Sequence, residues 1–354
     1  MGVNLRDLVS KTPIQFEGIK DRIVGIDGYN ALYQFLAIIR QPDGTPLQDS
    51  KGRVTSHLSG TFYRTANLLE AGIRPVYVFD GKPPELKSAE IAKRAEVKER
   101  AREEYRLAVE RGDIEGARRH AQATSRLTKP MVEQAKQLLS AMGVPTVQAP
   151  SEGEAQAAYM TRKGDAWATA SQDYDSLLFG APRLVRNFAI TGRRKLPGKP
   201  VYINIEPEML KLEDVLTELA LTREQLIDVG ILLGTDFNPE GFEGIGPKKA
   251  LKIIKDAGSF GAAVEKGMVK PEAGVDYDAI REIFLNPSVT SDYKLGWSQV
   301  DAAGVRRILV DSFEFSLERV DAALARILYT GTLVALMKSI SPALRAGPRS
   351  RIFS

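Results

Sequence analysis

Residues Arg22–Ile39 read RIVGIDGYNALYQFLAII. Arg22–Asp27 is a short run of β-branched residues that stops at an aspartate, and Ala31–Ile39 has the apolar spacing of a helix, so a strand feeds directly into a helix here. The pattern returns at Arg74–Asp80, RPVYVFD, again an apolar run closed by Asp. Between the two lie a Pro/Gly/Ser-rich loop, Gln41–Gly60, and a helical pattern over Thr61–Ala71. Further strands are expected at Val144–Gln148, Ala166–Ser171, Leu184–Phe188 and Val201–Ile205. Strands alternating with helices imply an α/β fold with a mostly parallel central sheet and helices on both faces. From Thr222 onward the pattern is mainly helical, and the residues after Met337 read as a polar tail.

The 354-residue chain, 43% hydrophobic and 27% charged, is long enough for a large core and a second unit. With no cysteine and only His57 and His120, disulfides, thiolate zinc sites and His-rich metal sites are excluded. A bound metal would take oxygen ligands, which favours magnesium or manganese. The N-terminus has no apolar run, Arg6 stands where a myristoylation signal needs Ser or Thr, and Ile327–Met337 is too short to span a bilayer. The reading is an intracellular protein without membrane attachment.

Seven acids stand at expected element ends. Asp27 and Asp80 close strands, and Asp173 and Asp175 follow the ATAS strand two residues apart. Glu152 and Glu154 open a helix in PSEGEAQAAYM, while Asp236 follows a long helix in LLGTDF. In an open α/β sheet, chemistry gathers at the carboxyl ends of strands. Brought together, these acids would repel unless cations bind between them, and two divalent ions so held can cleave a phosphodiester. Singly, each has an ordinary reading. Strand-end aspartates make turns, Ser151-x-x-Glu154 fits a capping box, Asp173 and Asp175 fit a solvated turn, and Asp236 fits a helix stop. The net charge is +4, and setting the seven acids aside leaves +11, an acidic hole in a basic surface.

Basic residues concentrate in three places. Lys82–Pro130 packs thirteen Lys/Arg and nine Asp/Glu with few large apolar residues, which fits either a solvated helix or a basic arch facing a single strand. GFEGIGPKKALKIIK, Gly241–Lys255, joins a tight turn at Gly244, Gly246 and Pro247 to an amphipathic helix bearing Lys248, Lys249 and Lys252. Such a turn binds phosphate through backbone N–H groups, or simply links two packed helices. Arg193, Arg194 and Lys195 are expected in a loop between strands.

The strings GIDGYNALYQFL, TSHLSGTFYRT, VYVFDGKPPELK, APSEGEAQAAYM, ASQDYDSLLFGAPRLVRNF and LLGTDFNPEGFEGIGPKKAL together resemble the flap endonuclease family of the XPG/RAD2 superfamily, archaeal branch, in family order from Met1 to about Leu328. The resemblance implies a structure-specific endonuclease that removes 5′ flaps in replication and repair, with 5′–3′ exonuclease activity. It implies two Mg²⁺ ions, replaceable by Mn²⁺, on Asp27, Asp80, Glu152, Glu154, Asp173, Asp175 and Asp236, with Asp80 and Glu154 also counted as catalytic. Lys87 and Arg94 match the residues that reach the scissile phosphate, Tyr33 matches an aromatic that stacks near the cleaved nucleotide, and Gly2 matches a glycine near the active site. Arg40, Gln48, Thr55 and Arg64 match positions at the duplex junction and a short 3′ flap. The Gly244–Lys252 region matches a helix–two-turn–helix that grips duplex DNA, with a K⁺ ion in the turn. The implied organisation is an N-terminal nuclease region at 1–99, a helical arch at 82–130, an internal nuclease region at 131–225, a helix–two-turn–helix and C-terminal helical region at 226–328, and a flexible tail at 338–354. A cytoplasmic, nucleoid-associated monomer is implied. The family's usual sliding-clamp motif, a Gln, an aliphatic and two aromatics, is absent from SPALRAGPRSRIFS, where only Ile352-Phe353 resembles an anchor.

Three alternatives remain. A junction nuclease of the same superfamily shares the acids, a non-catalytic DNA-structure binder shares the fold, and a nucleotide enzyme would share the α/β pattern. The last is disfavoured because the glycine string follows a helix and loop rather than a strand.

Overall fold

The computed structural model describes residues 2–41, 44–87, 100, 103–104, 107, 127–188, 192–195 and 202–329. Strand β2, Ile23–Asp27, alternates its side chains between two apolar layers, and β3, Arg74–Phe79, does the same. Val24, Ile26, Tyr77 and Phe79 enter one core, while Ile23, Val76 and Val78 enter the other. Two apolar faces on each strand are what a sheet covered on both sides requires.

The main sheet has seven strands in the order β1-β9-β6-β5-β2-β3-β4. Its parallel centre consists of β6 (Arg183–Arg186), β5 (Ala168–Ala170), β2, β3 and β4 (Thr146–Gln148). Helices α1 (Gly28–Ile38), α2 (Ser56–Glu70) and α3 (Lys129–Ala141) bury their apolar stripes on one face. Helix α4 (Gly153–Lys163) lies on the other, with Ala157 against Gly25. The chain leaves β2 for β3 on one side and reaches β5 on the other, so the topology switches between β2 and β5. At such a switch the carboxyl ends of parallel strands open a crevice.

The structure departs from these expectations in several places. Two short strands that the sequence did not signal, β1 (Thr12–Pro13) and β9 (Glu208–Lys211), add an antiparallel edge beside β6. The expected strand Val201–Ile205 exists as β8 (Tyr202–Ile205), but it pairs with β7 (Gly192–Lys195) in a separate hairpin. Arg193, Arg194 and Lys195 therefore lie on a strand rather than in a loop. Helix α2 begins at Ser56, inside the stretch expected as loop, because Ser56, His57, Leu58 and Gly60 are buried there.

The second core gathers α5 (Asp175–Leu178), α6 (Leu212–Leu219), α7 (Arg223–Leu233), α8 (Pro247–Ala257), α9 (Phe260–Glu265) and α10 (Tyr277–Leu285). A true capping box starts α7, where Thr222 and Gln225 satisfy each other's backbone amides. Residues 287–301, in a region read as mainly helical, form neither helix nor strand. They strap across the sheet, with the Trp297 indole donating to the Pro75 carbonyl and the Tyr293 hydroxyl to Asp165. Helix α11 (Ala302–Arg306), its continuation Arg307–Ser312, and α12 (317–329) close the first core. Among the described residues, no helix is long and apolar enough to cross a membrane. Most of the expected arch, including Arg94, and the tail lie outside the described residues.

A candidate active site at the carboxyl edge of the sheet

The acids reach the crevice from several elements remote in the chain. Asp27 ends β2 and also N-caps α1, its carboxylate accepting from the Asn30 backbone N–H at 2.9 Å. Asp80 follows β3 and accepts from the Gly153 N–H at 2.7 Å, which ties β3 to the start of α4. Glu152 is the N-cap residue of α4 but makes no capping bond, and Glu154 lies in its first turn. The capping-box reading of Ser151 and Glu154 is therefore overturned. Glu154 instead accepts from both the backbone N–H (2.9 Å) and the hydroxyl of Ser176. Asp175 opens α5, is buried, and accepts from the Val3 N–H at 2.7 Å. Asp173, two residues earlier, accepts from the Gly2 N–H at 3.3 Å and from the Asn30 carboxamide at 2.9 Å.

The charges act on one another across these elements. Burial, then Asp80, raise the Asp27 carboxyl well above its usual range. Burial, then Glu152, push Asp80 up to about 6. Burial, then Asp236 and Asp173, push Asp175 up to about 8. Burial, then Asp175, Asp173 and Asp27, raise Glu154. Asp27, Asp80, Glu154 and Asp175 are thus each raised in part by neighbouring carboxylates, as acids brought close together are. Among the described residues, however, no three are gathered as a ready ligand set for one ion. The carboxylates are held by N–H and O–H donors and by one ammonium. Lys87 contacts Glu152 Oε2 at 2.7 Å and Asp236 Oδ2 at 3.0 Å. Burial pulls that ammonium's pKa down, but the two carboxylates outweigh it and hold it above the usual value.

The donor set fits a hard divalent cation: every candidate ligand is a carboxylate, and the chain has no cysteine. The N-terminal segment is built into the same place. A Cβ on Gly2 would stand 2.7 Å from Asp175 Oδ1 and 2.8 Å from the Asp173 Cβ, too close for any side chain.

The second basic stretch follows Asp236 in the chain. Between α7 and α8 the chain makes one turn at 236–240 and a second at 243–244, giving helix, two turns, helix. Gly244 has φ +70° and Gly246 is the N-cap of α8, and neither faces any atom that an added Cβ would meet. Lys248, Lys249 and Lys252 are exposed on α8, with the Lys249 ammonium 3.3 Å from the Gly244 carbonyl. Tyr33 is exposed on α1. The Arg40 guanidinium donates to the Ala37 and Gly44 carbonyls, shaping the loop that follows. Gln48 is exposed in a bridge to Val54, Thr55 is buried at the start of α2, and Arg64 is half-buried on α2.

Sequence reasoning missed Asn30, Ser176, Val3 and Gln148. The Gln148 amide donates to the Asp80 carbonyl at 2.6 Å and fixes that turn. Only Asn30 carried a signal, since it stands three residues after the helix-capping Asp27.

A parallel sheet whose carboxyl edge carries such an acid cluster, followed by a helix–two-turn–helix, defines an XPG-type nuclease core. Residues 1–101 match the XPG N-terminal domain, and residues 143–236 match the XPG I-region. The chain is 59% identical over 330 residues to flap endonuclease 1 of Hyperthermus butylicus, covering 92% of this chain and 94% of that protein. It is 58% identical over 333 residues to flap endonuclease 1 of Aeropyrum pernix, again covering 92% and 94%. Flap endonuclease-1 from Methanococcus jannaschii superposes with a TM-score of 0.74 at 44% identity, covering 93% of this chain and 98% of the other. The chain belongs to the flap endonuclease family.

Proposed function

We propose that this protein is a divalent-metal-dependent endonuclease that cuts branched DNA at the base of a 5′ flap and also degrades 5′ ends. The observation that carries the reading is the acid cluster: seven carboxylates from several elements, four of them raised in pKa by burial and neighbouring carboxylates, at one edge of the sheet. Asp27, Asp80, Glu152, Glu154, Asp173, Asp175 and Asp236 would hold two Mg²⁺ ions, or Mn²⁺ in their place. Bound there, the ions would supply a water nucleophile at neutral pH and neutralise charge on the attacking and leaving oxygens.

The chain's own groups do the rest. Asp80 and Glu154 are fixed by Gly153 and Ser176, so their oxygens are aimed before substrate arrives. Lys87 lies where positive charge is already favoured by Glu152 and Asp236, and it would turn to the scissile phosphate as charge develops there. Arg94 would join it. Tyr33 would stack on the nucleotide beside the cut, and Arg40, Gln48, Thr55 and Arg64 would shape the junction and the 3′-flap contact. Gly244, Gly246, Lys248, Lys249 and Lys252 would grip the duplex backbone without reading sequence, with K⁺ in the turn. Residues 82–130 would form the arch over the single strand, and the protein would work as a cytoplasmic, nucleoid-associated monomer.

Incubation of a 5′-labelled flap duplex with and without Mg²⁺ tests the reading. Products with a 5′-phosphate and a 3′-hydroxyl, formed only with the metal, are expected. Binding without cleavage under any divalent ion would favour the non-catalytic alternative, and faster cutting of four-way junctions than of flaps would favour the junction nuclease.

A further inference from the structure

We propose that Asn30 is a positioning residue for the cleavage site, its carboxamide clasping the segment that carries Asp173 at the seam between β2 and β5. The inference rests on the divalent-metal reading above and adds to it a side chain that is not itself a ligand.

Asn30 stands in the first turn of α1 and touches both halves of the acid cluster. Its backbone N–H goes to Asp27 Oδ1 at 2.9 Å. Its side-chain Nδ2 goes to Asp173 Oδ2 at 2.9 Å, and its Oδ1 accepts from the Gln172 backbone N–H at 3.4 Å. One carboxamide therefore holds two consecutive residues of the turn after β5. The orientation of the amide is determined by its partners, because a backbone N–H can only donate and an ionised carboxylate can only accept. Gln34, one helical turn on, donates from Nε2 to the same Asn30 Oδ1 and braces the rotamer.

A neutral donor is suited to this position. An ammonium here would cancel the charge that draws in a cation, as Lys87 does at Glu152 and Asp236. The amide N–H fixes one oxygen of Asp173 while leaving its charge intact and lone pairs free on both oxygens. Groups that orient ligating carboxylates in this way typically contribute about 10–100-fold to metal affinity or activity.

An ordinary helix-start role is separable from this one. The Asp27 cap uses the backbone N–H of residue 30, which any replacement except proline keeps. Asn30→Leu and Asn30→Ala thus retain the cap and lose the clasp on Gln172 and Asp173 together with the bracing bond from Gln34, and the alanine variant covers the case in which leucine does not fit.

The test is a manganese titration without DNA, reading free Mn²⁺ by its EPR signal, with melting temperatures in EDTA alongside. Both variants are expected to bind Mn²⁺ about tenfold or more weakly, with metal-free melting temperatures near that of the wild type. In an Asp173→Asn background, Asn30→Leu is expected to add no further loss, since both changes act through one carboxylate. Wild-type binding with unchanged variants, an equal loss in both backgrounds, or a large fall in metal-free melting temperature in both variants would each overturn the role of Asn30 alone. A wild-type protein that binds no Mn²⁺ would overturn the divalent site itself, and this role with it.

Discussion

The acid cluster and the helix–two-turn–helix are both charged regions, yet they are built in opposite ways. The first assembles residues from Asp27 to Asp236, half-buried or buried, through hydrogen bonds to amides from distant parts of the chain. The second is contiguous, Gly244 to Lys252, with exposed lysines and an open glycine turn. Burial makes charge interactions strong and geometry exacting, which suits chemistry. Exposure makes them weak, screened and forgiving of sequence, which suits holding a backbone. On the proposed function, gripping and cutting are separate, and the two should fail independently.

The largest expected effect is at the cluster. Asp175→Ala or Asp80→Ala should lower kcat on a flap substrate by more than about 10²-fold, beyond what a merely supporting residue costs, while leaving the Kd for the flap in EDTA within a few-fold. Retained turnover in either variant would break the comparison at its catalytic side. Replacing Lys248, Lys249 and Lys252 by Ala together should do the reverse. Duplex affinity should fall and the slope of log K against log salt should become shallower by about 2–3, with single-turnover cleavage of pre-bound substrate near normal. An unchanged salt slope would remove α8 from the interface.

Gly2→Ala should follow, at about a tenfold loss of kcat, because about 1–2 kcal/mol of overpacking falls directly on Asp173 and Asp175. Binding should hold, and a fully active variant would mean that the N-terminal segment moves away from the acids. The smallest effect is on stability. Asp175 is raised to about 8 in the folded protein, so the fold binds its proton more tightly than the unfolded chain does. Metal-free stability from this group is greatest below the ordinary aspartate pKa and is lost as pH rises toward about 8. Asp175→Asn should then raise the melting temperature in EDTA at pH 8 by a few degrees while removing most of the stabilisation that Mg²⁺ gives the wild type. A fall in EDTA would show that Asp175 is held by its Val3 bond more than it is strained by its neighbours.

Local signals carried far in this chain. Runs of β-branched and aromatic residues in RIVGID and RPVYVFD gave two sheet strands within a residue or so, and Gly-x-Gly-Pro-Lys-Lys gave the turn and the start of α8. The resemblance in six motifs pointed to the family that the comparisons then established. Local signals failed where pairing decides structure. Thr12–Pro13 and Glu208–Lys211 have little strand character of their own and become strands because each offers the other an edge. Val201–Ile205 looked like a sheet strand, and its partner proved to be Gly192–Lys195 instead. Glu154 looked like a helix cap until Ser176, from another element, was found holding it.

By itself, the sequence determined the α/β class, the positions of the seven acids at element ends, the exclusion of thiolate and His-rich metal sites, and the basic turn-and-helix, because each depends on periodicity, residue type or short spacing. Only the tertiary structure decided which donors hold each carboxylate, that Lys87 pairs with Glu152 and Asp236, and that Asn30 reaches Asp173 across 143 residues. Those contacts arise from the side-by-side placement of parallel strands that are remote in the chain, and sheet order, unlike periodicity, leaves no mark within any one of them.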